Sequence, residues 1–176
     1  IKQTFTNLET FKLFKSNKLL VLHLIERKII IVDDIIAKEI LYRSEQSNSK
    51  YHLFFYPEIK YFLETQGQKD SIEHELKSIN EDIFTNFENN RKKGENEKYI
   101  CELIRNDSIE NFIVYVNQTN LSLSNTIIKP SIFETNSFLI KNEPTLIEYA
   151  AFFGSIQIFQ YLKMNNVELR SSLWIY

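Results

Sequence analysis

Apolar residues recur at helical spacing from Phe5 to Tyr42: Leu8, Phe11, Leu13 and Phe14, then Leu19, Leu22 and Ile25, then Ile35, Ile36, Ile40 and Leu41. This spacing predicts packed helices. Ile29 to Val32 have strand propensity, but they are short and lie between two helical patterns. Asp33-Asp34, which follow them, suit a helix start, so the expectation is a buried connector.

After the polar stretch Ser44 to Lys50 comes an aromatic cluster, Tyr51, Leu53, Phe54, Phe55 and Tyr56. Pro57 is expected to open a helix carrying Ile59, Tyr61, Phe62 and Leu63, with Gly67 ending it. From Asp70 to Asn90 one amphipathic helix is predicted, started by Asp70 with Glu73 three residues on. Its stripe is Ile72, Leu76, Ile79, Ile83, Phe84 and Phe87. Arg91-Lys92-Lys93-Gly94 reads as a solvated helix end, with Gly94 making the turn.

The chain matches itself once. Ile104 to Val116, ending in Asn120-Leu121-Ser122-Leu123, lies over Ala150 to Leu162, ending in Asn166-Val167-Glu168-Leu169, at an offset of 46 residues. In that register Phe112 pairs with Ile158, Ile113 with Phe159, Tyr115 with Tyr161, Val116 with Leu162, and Ser108 with Gly154. Each copy reads as a short helix, a tight turn and a second helix whose apolar face must meet a neighbouring hairpin.

The second copy has a local logic of its own. Thr145 with Glu148 forms a capping box that satisfies otherwise orphaned amides. Ala150-Ala151 suits closely stacked helices, and Gly154 lies where the turn calls for a positive φ. Thr145-Leu146-Ile147-Glu148-Tyr149-Ala150-Ala151-Phe152-Phe153-Gly154, with Ile158-Phe159 and Leu162, resembles the ankyrin repeat. It departs from that pattern at Leu146, which takes the usual proline position, at Glu148 for histidine, at Lys163 for leucine and at Asn166 for glycine. Asn tolerates a left-handed backbone, so the last change is mild. The first copy, with Ile104-Arg105 in place of the alanines, is more degenerate.

Asn90 to Asn96 leading into Tyr99 to Ser108, with Leu146 to Leu162, Leu19 to Ile36 and Tyr56 to Lys60, resembles a large protozoan ankyrin-repeat family with a helical N-terminal region. The resemblance implies an all-α protein in two parts, a helical region at 1–93 and the start of an ankyrin-type solenoid at 94–176. Within the second part the expected units are a degenerate repeat at 98–123, an inserted loop at 124–143, a better-formed repeat at 144–169 and the start of a next one at 170–176. Ankyrin repeats run about 33 residues, so the offset implies roughly 13 inserted. The resemblance implies an intracellular array and no catalytic residue.

Composition narrows the partners. With 21 basic and 23 acidic side chains the formal charge is −2, which lacks the basic field that nucleic acid calls for. The longest apolar stretch, Leu19 to Ile25, holds His23 and is far short of a bilayer span. A single cysteine favours a reducing compartment, and the sequons at Asn106 and Asn117 are read as chance products of an asparagine-rich chain. Ile1 and the apolar Leu173-Trp174-Ile175 end look cut, so an uncapped end is expected to self-associate.

Candidate chemistry is thin. His23, His52 and His74 are scattered without metal-ligand spacing, and His23 is expected to be a hydrogen-bonded core or interface residue. The glycines at 67, 94 and 154 are isolated and make no phosphate loop. Cys101 reads as a buried structural thiol, and Asp33-Asp34 and Glu81-Asp82 as helix-start chemistry. The aromatics interleaved with lysine from Lys50 to Tyr61 are expected in the core. No catalytic, cofactor or metal residue is expected. The function expected is a non-enzymatic scaffold that binds another protein, with Asn142, Glu143 and Asn165 as candidate contacts on a loop-bearing face. The alternative is a ligand-binding or enzymatic N-terminal domain, Phe5 to Asn90, fused to the repeats.

Overall fold

The computed structural model describes residues 5–46, 50–171 and 173, and of residues 43–46 the backbone alone. Trp174 and Ile175, on which the self-association expectation partly rests, lie outside the described residues. Among the described residues the chain is all-α, and its one β feature is an isolated antiparallel bridge between Ile127 and Thr145. They group into two compact units: residues up to Glu95 together with Thr135–Ser137, and the rest from Asn96 onward.

The first unit begins with α1 (Asn7–Phe14), α2 (Lys18–Glu26) and α3 (Asp34–Gln46). Each start has a side-chain reason: Thr6 and Glu9 form a capping box, Asn17 accepts the Leu20 amide, and the Asp33 carboxylate accepts the Ile36 amide. Ile29–Val32 is a connector, as expected, but only Ile30 is buried. Ile29 and Ile31 are exposed, and the Asn7 side chain pairs with the Ile31 backbone through both N–H and C=O.

Next come α4 (Tyr51–Phe54) and α5 (Tyr56–Ile59), whose Tyr51, Leu53, Phe54, Phe55, Tyr56 and Ile59 are all buried. Pro57 stands in the first turn of α5, but that helix stops at Ile59 instead of reaching Leu63. Gly67 does not end a helix. It lies in the first turn of α6 (Gln66–Ile79), which starts at a Thr65–Gln68 capping box, five residues before the Asp70 start read from the sequence.

The single helix expected from Asp70 to Asn90 is three pieces. α6 ends at Ile79, a 3₁₀ turn covers Ile83–Asn86, and α7 runs Phe87–Lys93. Asn80 is extended at the break, and its side-chain oxygen accepts the Asp82 amide, the local bond that competes with helix. Arg91 also corrects the sequence reading. It is 1% exposed, stacked over Phe54 and Phe87, and donates to both oxygens of Glu58 at 3.0 and 2.6 Å. Gly94 closes α7 with φ 67°, and its carbonyl accepts from both the Thr135 amide and hydroxyl.

The second unit contains α8 (Tyr99–Arg105), α9 (Ile109–Thr119), α10 (Ser137–Asn142), α11 (Leu146–Phe153) and α12 (Ile156–Met164). Helices α8 and α9 pair as one hairpin and α11 and α12 as another, with α8 packed on α11 and α9 on α12. One apolar core runs through both, from Ile100, Leu103 and Phe112 to Leu146, Ile158 and Leu162. Residues 124–143 are more than an inserted loop. Ile128 and Leu139 belong to that core, Ile132 and Phe133 are buried, and the Ile128 amide bonds the Pro144 carbonyl.

Candidate interaction surface

Both hairpins turn by the same device. In the first, the Asp107 and Ser108 amides bond the Ile104 and Leu103 carbonyls, with Asp107 left-handed at φ 48°. In the second, the Gly154 and Ser155 amides bond the Ala151 and Ala150 carbonyls, with Gly154 at φ 67°. These are Schellman turns, which satisfy carbonyls that a helix end leaves orphaned. Gly154 thus has the positive φ expected of it, but its counterpart is Asp107, not Ser108.

The offset is therefore 47 residues in the turn, between 107 and 154, and 46 at the end of the second helix. There Asn120 (φ 51°) answers Asn166 (φ 58°), with the Leu121 and Val167 amides bonding the Val116 and Leu162 carbonyls. Helix α9 absorbs the extra residue. Its buried Phe112 and Val116 therefore match Ile158 and Leu162 at 46, as the sequence match had it, although the turns match at 47. Asn120 and Asn166 both use the tolerance of asparagine for a left-handed backbone.

Side-chain hydrogen bonds tie hairpin to hairpin. The Asp107 carboxylate accepts the Gln157 and Ile158 amides, one oxygen each at 3.0 Å, and so caps the start of α12 from outside that helix. The Ser155 hydroxyl, buried at 2% exposure, donates to the Ile104 carbonyl. The Thr145–Glu148 box forms as the residues predict, with the Thr145 amide 2.8 Å from the Glu148 carboxylate. Both residues are buried, which makes the pairing worth more than at a surface.

Several polar groups inside this unit are partnered by one another. Arg105 donates to the Asn96 carbonyl and to the Tyr149 hydroxyl, while the Asn96 amide nitrogen donates to the Lys129 carbonyl. Burial pushes the Cys101 thiol up to about 11 and the Tyr149 phenol higher still, so neither ionises near neutrality. Cys101 is fully buried, the environment of an inert thiol.

The candidate contacts are surface groups with local bonds. Asn142 and Asn165 are exposed, and each side-chain amide donates to the carbonyl four residues back, Phe138 and Tyr161. Glu143 is half-buried, left-handed, and paired with Lys129 at 2.7 Å. Asn142 and Glu143 lead into α11, and Asn165 follows α12. All three therefore belong to the end of the hairpin away from the Gly154 turn.

In the first unit His23 is exposed, not in the core, and accepts from the Arg27 side chain at 3.2 Å. Asp33 caps α3 as read, whereas Glu81 and Asp82 are exposed at the α6 break. His74 is exposed, and His52 lies 3.3 Å from Glu75. His52 also lines an open cleft of about 540 Å³ with Leu41, Leu63, Thr65, Gly67, Gln68, Ser71 and Ile72. Among the described residues no group of three or more His, Cys, Asp or Glu could hold a metal ion, and no helix is long and apolar enough to cross a membrane.

Sequence reasoning missed Asp107 and Arg91. Asp107 acts on amides 50 and 51 residues away, and Arg91 on a carboxylate 33 residues away, so no local pattern signals either. Compared with family models, curated proteins and solved structures, the chain finds no match.

Proposed function

We propose that the chain is a non-enzymatic scaffold that binds another protein through a stack of ankyrin-type hairpins. The observation that carries this reading is the paired stacking of α8 on α11 and α9 on α12, clamped by Asp107 and Ser155. Stacked hairpins bury one another and leave an extended side surface whose residues are free to vary with the partner. The Thr145–Glu148 box, Ala150, and the left-handed Gly154 and Asn166 support an ankyrin-type plan. Captured on the whole chain as bait, a partner should be lost when Asn142, Glu143 or Asn165 is changed to a residue of opposite character. Retention through all three substitutions would remove this surface from the reading.

A second reading, a ligand-binding first unit, is favoured by the cleft beside His52, whose Thr65, Gln68 and Ser71 bring polar groups to an otherwise apolar lining. A Ser71→Trp variant that folds normally yet loses a ligand found by thermal-shift screening would support it. An empty screen would leave the scaffold reading alone.

A further inference from the structure

The first unit carries an apolar cleft with a basic rim. Three leucines of α2, half-buried Leu19, 37% exposed Leu20 and buried Leu22, line an open cleft of about 530 Å³ that Lys92 of α7 borders. A concave leucine floor is a place where apolar side chains brought from outside lose their water. The polar groups around it are mostly donors with capacity to spare. Asn17 spends its side-chain oxygen on the Leu20 amide, and its Nδ2 has no partner among the described residues. Arg27, exposed at the C-terminal end of α2, gives its Nε to His23 of the cleft wall at 3.2 Å. Its Nη1 and Nη2 have neither a hydrogen bond nor an ion pair among the described residues. The carboxylate that lines the cleft, Glu26, is already engaged, 3.4 Å from Lys92 and 4.0 Å from His23.

From this we infer that the cleft takes an acidic peptide of a partner protein, whose apolar side chains settle on the leucines while a carboxylate meets the Nη1–Nη2 edge of Arg27. Charge selects the occupant. Arg27 and Lys92 face a single carboxylate, Glu26, so the rim has positive charge and N–H groups to offer and calls for acceptors from outside. A guanidinium edge matches the two oxygens of a carboxylate, and His23, by holding Nε, limits the freedom that Arg27 loses on binding. Length selects it too. Leu20 and Arg27 lie two turns apart on α2, about 10 Å along the helix axis, a span that a peptide covers and a single amino acid does not. All of these residues belong to the first unit, so the site stands apart from the stacked hairpins and does not rest on that reading.

The probe is a synthetic peptide as long as α2, blocked at both ends, with leucine at every third or fourth position and glutamate between. Titrated into the isotope-labelled whole chain, it should bind with a dissociation constant below about 1 mM, and amide shifts should centre on Leu20, His23, Arg27 and Lys92. The same peptide with glutamine for glutamate should bind at least about fivefold more weakly. Arg27 and Lys92 are exposed, so Arg27→Glu with Lys92→Glu changes the rim and spares the core. That double variant should lose at least about tenfold in affinity for the glutamate peptide and should prefer a lysine version of it. No shifts at about 1 mM peptide, shifts centred elsewhere, equal binding of the glutamine peptide, or a reversed rim that keeps the original preference would each overturn the proposal. Shifts at these amides with decanoate but not with the peptide would overturn it as well, and would give the cleft to a free acyl carboxylate.

Discussion

The Asp107 carboxylate reaches from one helical hairpin to the next and accepts the Ile158 amide at 3.0 Å, while its own backbone stays left-handed at φ 48°. The two facts pull in opposite directions, since a left-handed backbone disfavours any side chain and the cap requires one.

The balance predicts an order. Asp107→Ala loses the cap and keeps the strain, so it should cost about 2 kcal/mol in urea unfolding of the whole chain. Asp107→Gly loses the cap but relieves the backbone and should cost about 1 kcal/mol or less. Were alanine to prove as stable as glycine, the left-handed strain would not be the opposing term.

The two left-handed glycines should respond unequally to alanine. At Gly154 a Cβ meets open space, so Gly154→Ala carries only the backbone strain, about 1 kcal/mol. At Gly94 the same atom comes 2.8 Å from the Thr135 hydroxyl oxygen and 3.0 Å from a Leu19 methyl. Gly94→Ala should therefore cost more by about 1 kcal/mol or greater. Equal shifts in the urea midpoint would contradict the crowding around Gly94.

The buried pair Arg91–Glu58 predicts a cycle. Arg91→Ala strands a carboxylate that is largely out of water and should cost about 3 to 5 kcal/mol, whereas the double replacement Arg91→Met with Glu58→Leu should come within about 1 kcal/mol of the parent. Burial raises the Glu58 carboxyl, with Arg91 opposing it in part. The folded state thus holds that proton more tightly than the unfolded state. The Glu58 contribution to stability falls as pH rises from the ordinary carboxylate range through its raised value. Carbon-detected titration of Glu58 should show a midpoint above 4.5.

Cys101 gives a prediction at alkaline pH. Its thiol is raised from 9.0 to about 11 by burial, so between those values the folded state keeps a proton that the unfolded state has released. Its contribution is fully present below pH 9 and declines above it. Alkylation at pH 8 should be slow in the native chain and rapid in urea. Fast native labelling would show that the thiol is reached without unfolding.

What the residues disclosed in advance follows the range of the interactions. Thr145 with Glu148, Gly154 and Asp33 act within a few residues, and each is legible, as is the connector at 29–32, though not that only Ile30 of it is buried. Thr6 with Glu9 and Thr65 with Gln68 follow the same capping rule and are equally legible, whereas the apolar stripe that begins at Ile72 points to a start at Asp70. The break at Asn80 was hidden because Ile83 and Phe87 continue the helical spacing across it. Arg91 and Asp107 were illegible for another reason, since their partners arrive only with the tertiary structure. The sequence match paired Ser108 with Gly154 because it weighed apolar positions, which align at 46, over turn positions, which align at 47.

The segment between the hairpins bears on the order in which they assemble. Each hairpin closes on contacts a few residues apart, but bonds that join the two, such as Ser155 to Ile104 and Ile158 to Asp107, span 51 residues each. Closing so long a connection costs entropy before any contact repays it. In the folded unit Ile128 and Leu139 pack the connector into the core, and the same contacts made before the hairpins meet would shorten the span left to close. Polar substitutions at those two positions should therefore slow refolding of the second unit, a kinetic role for residues that look like spacer.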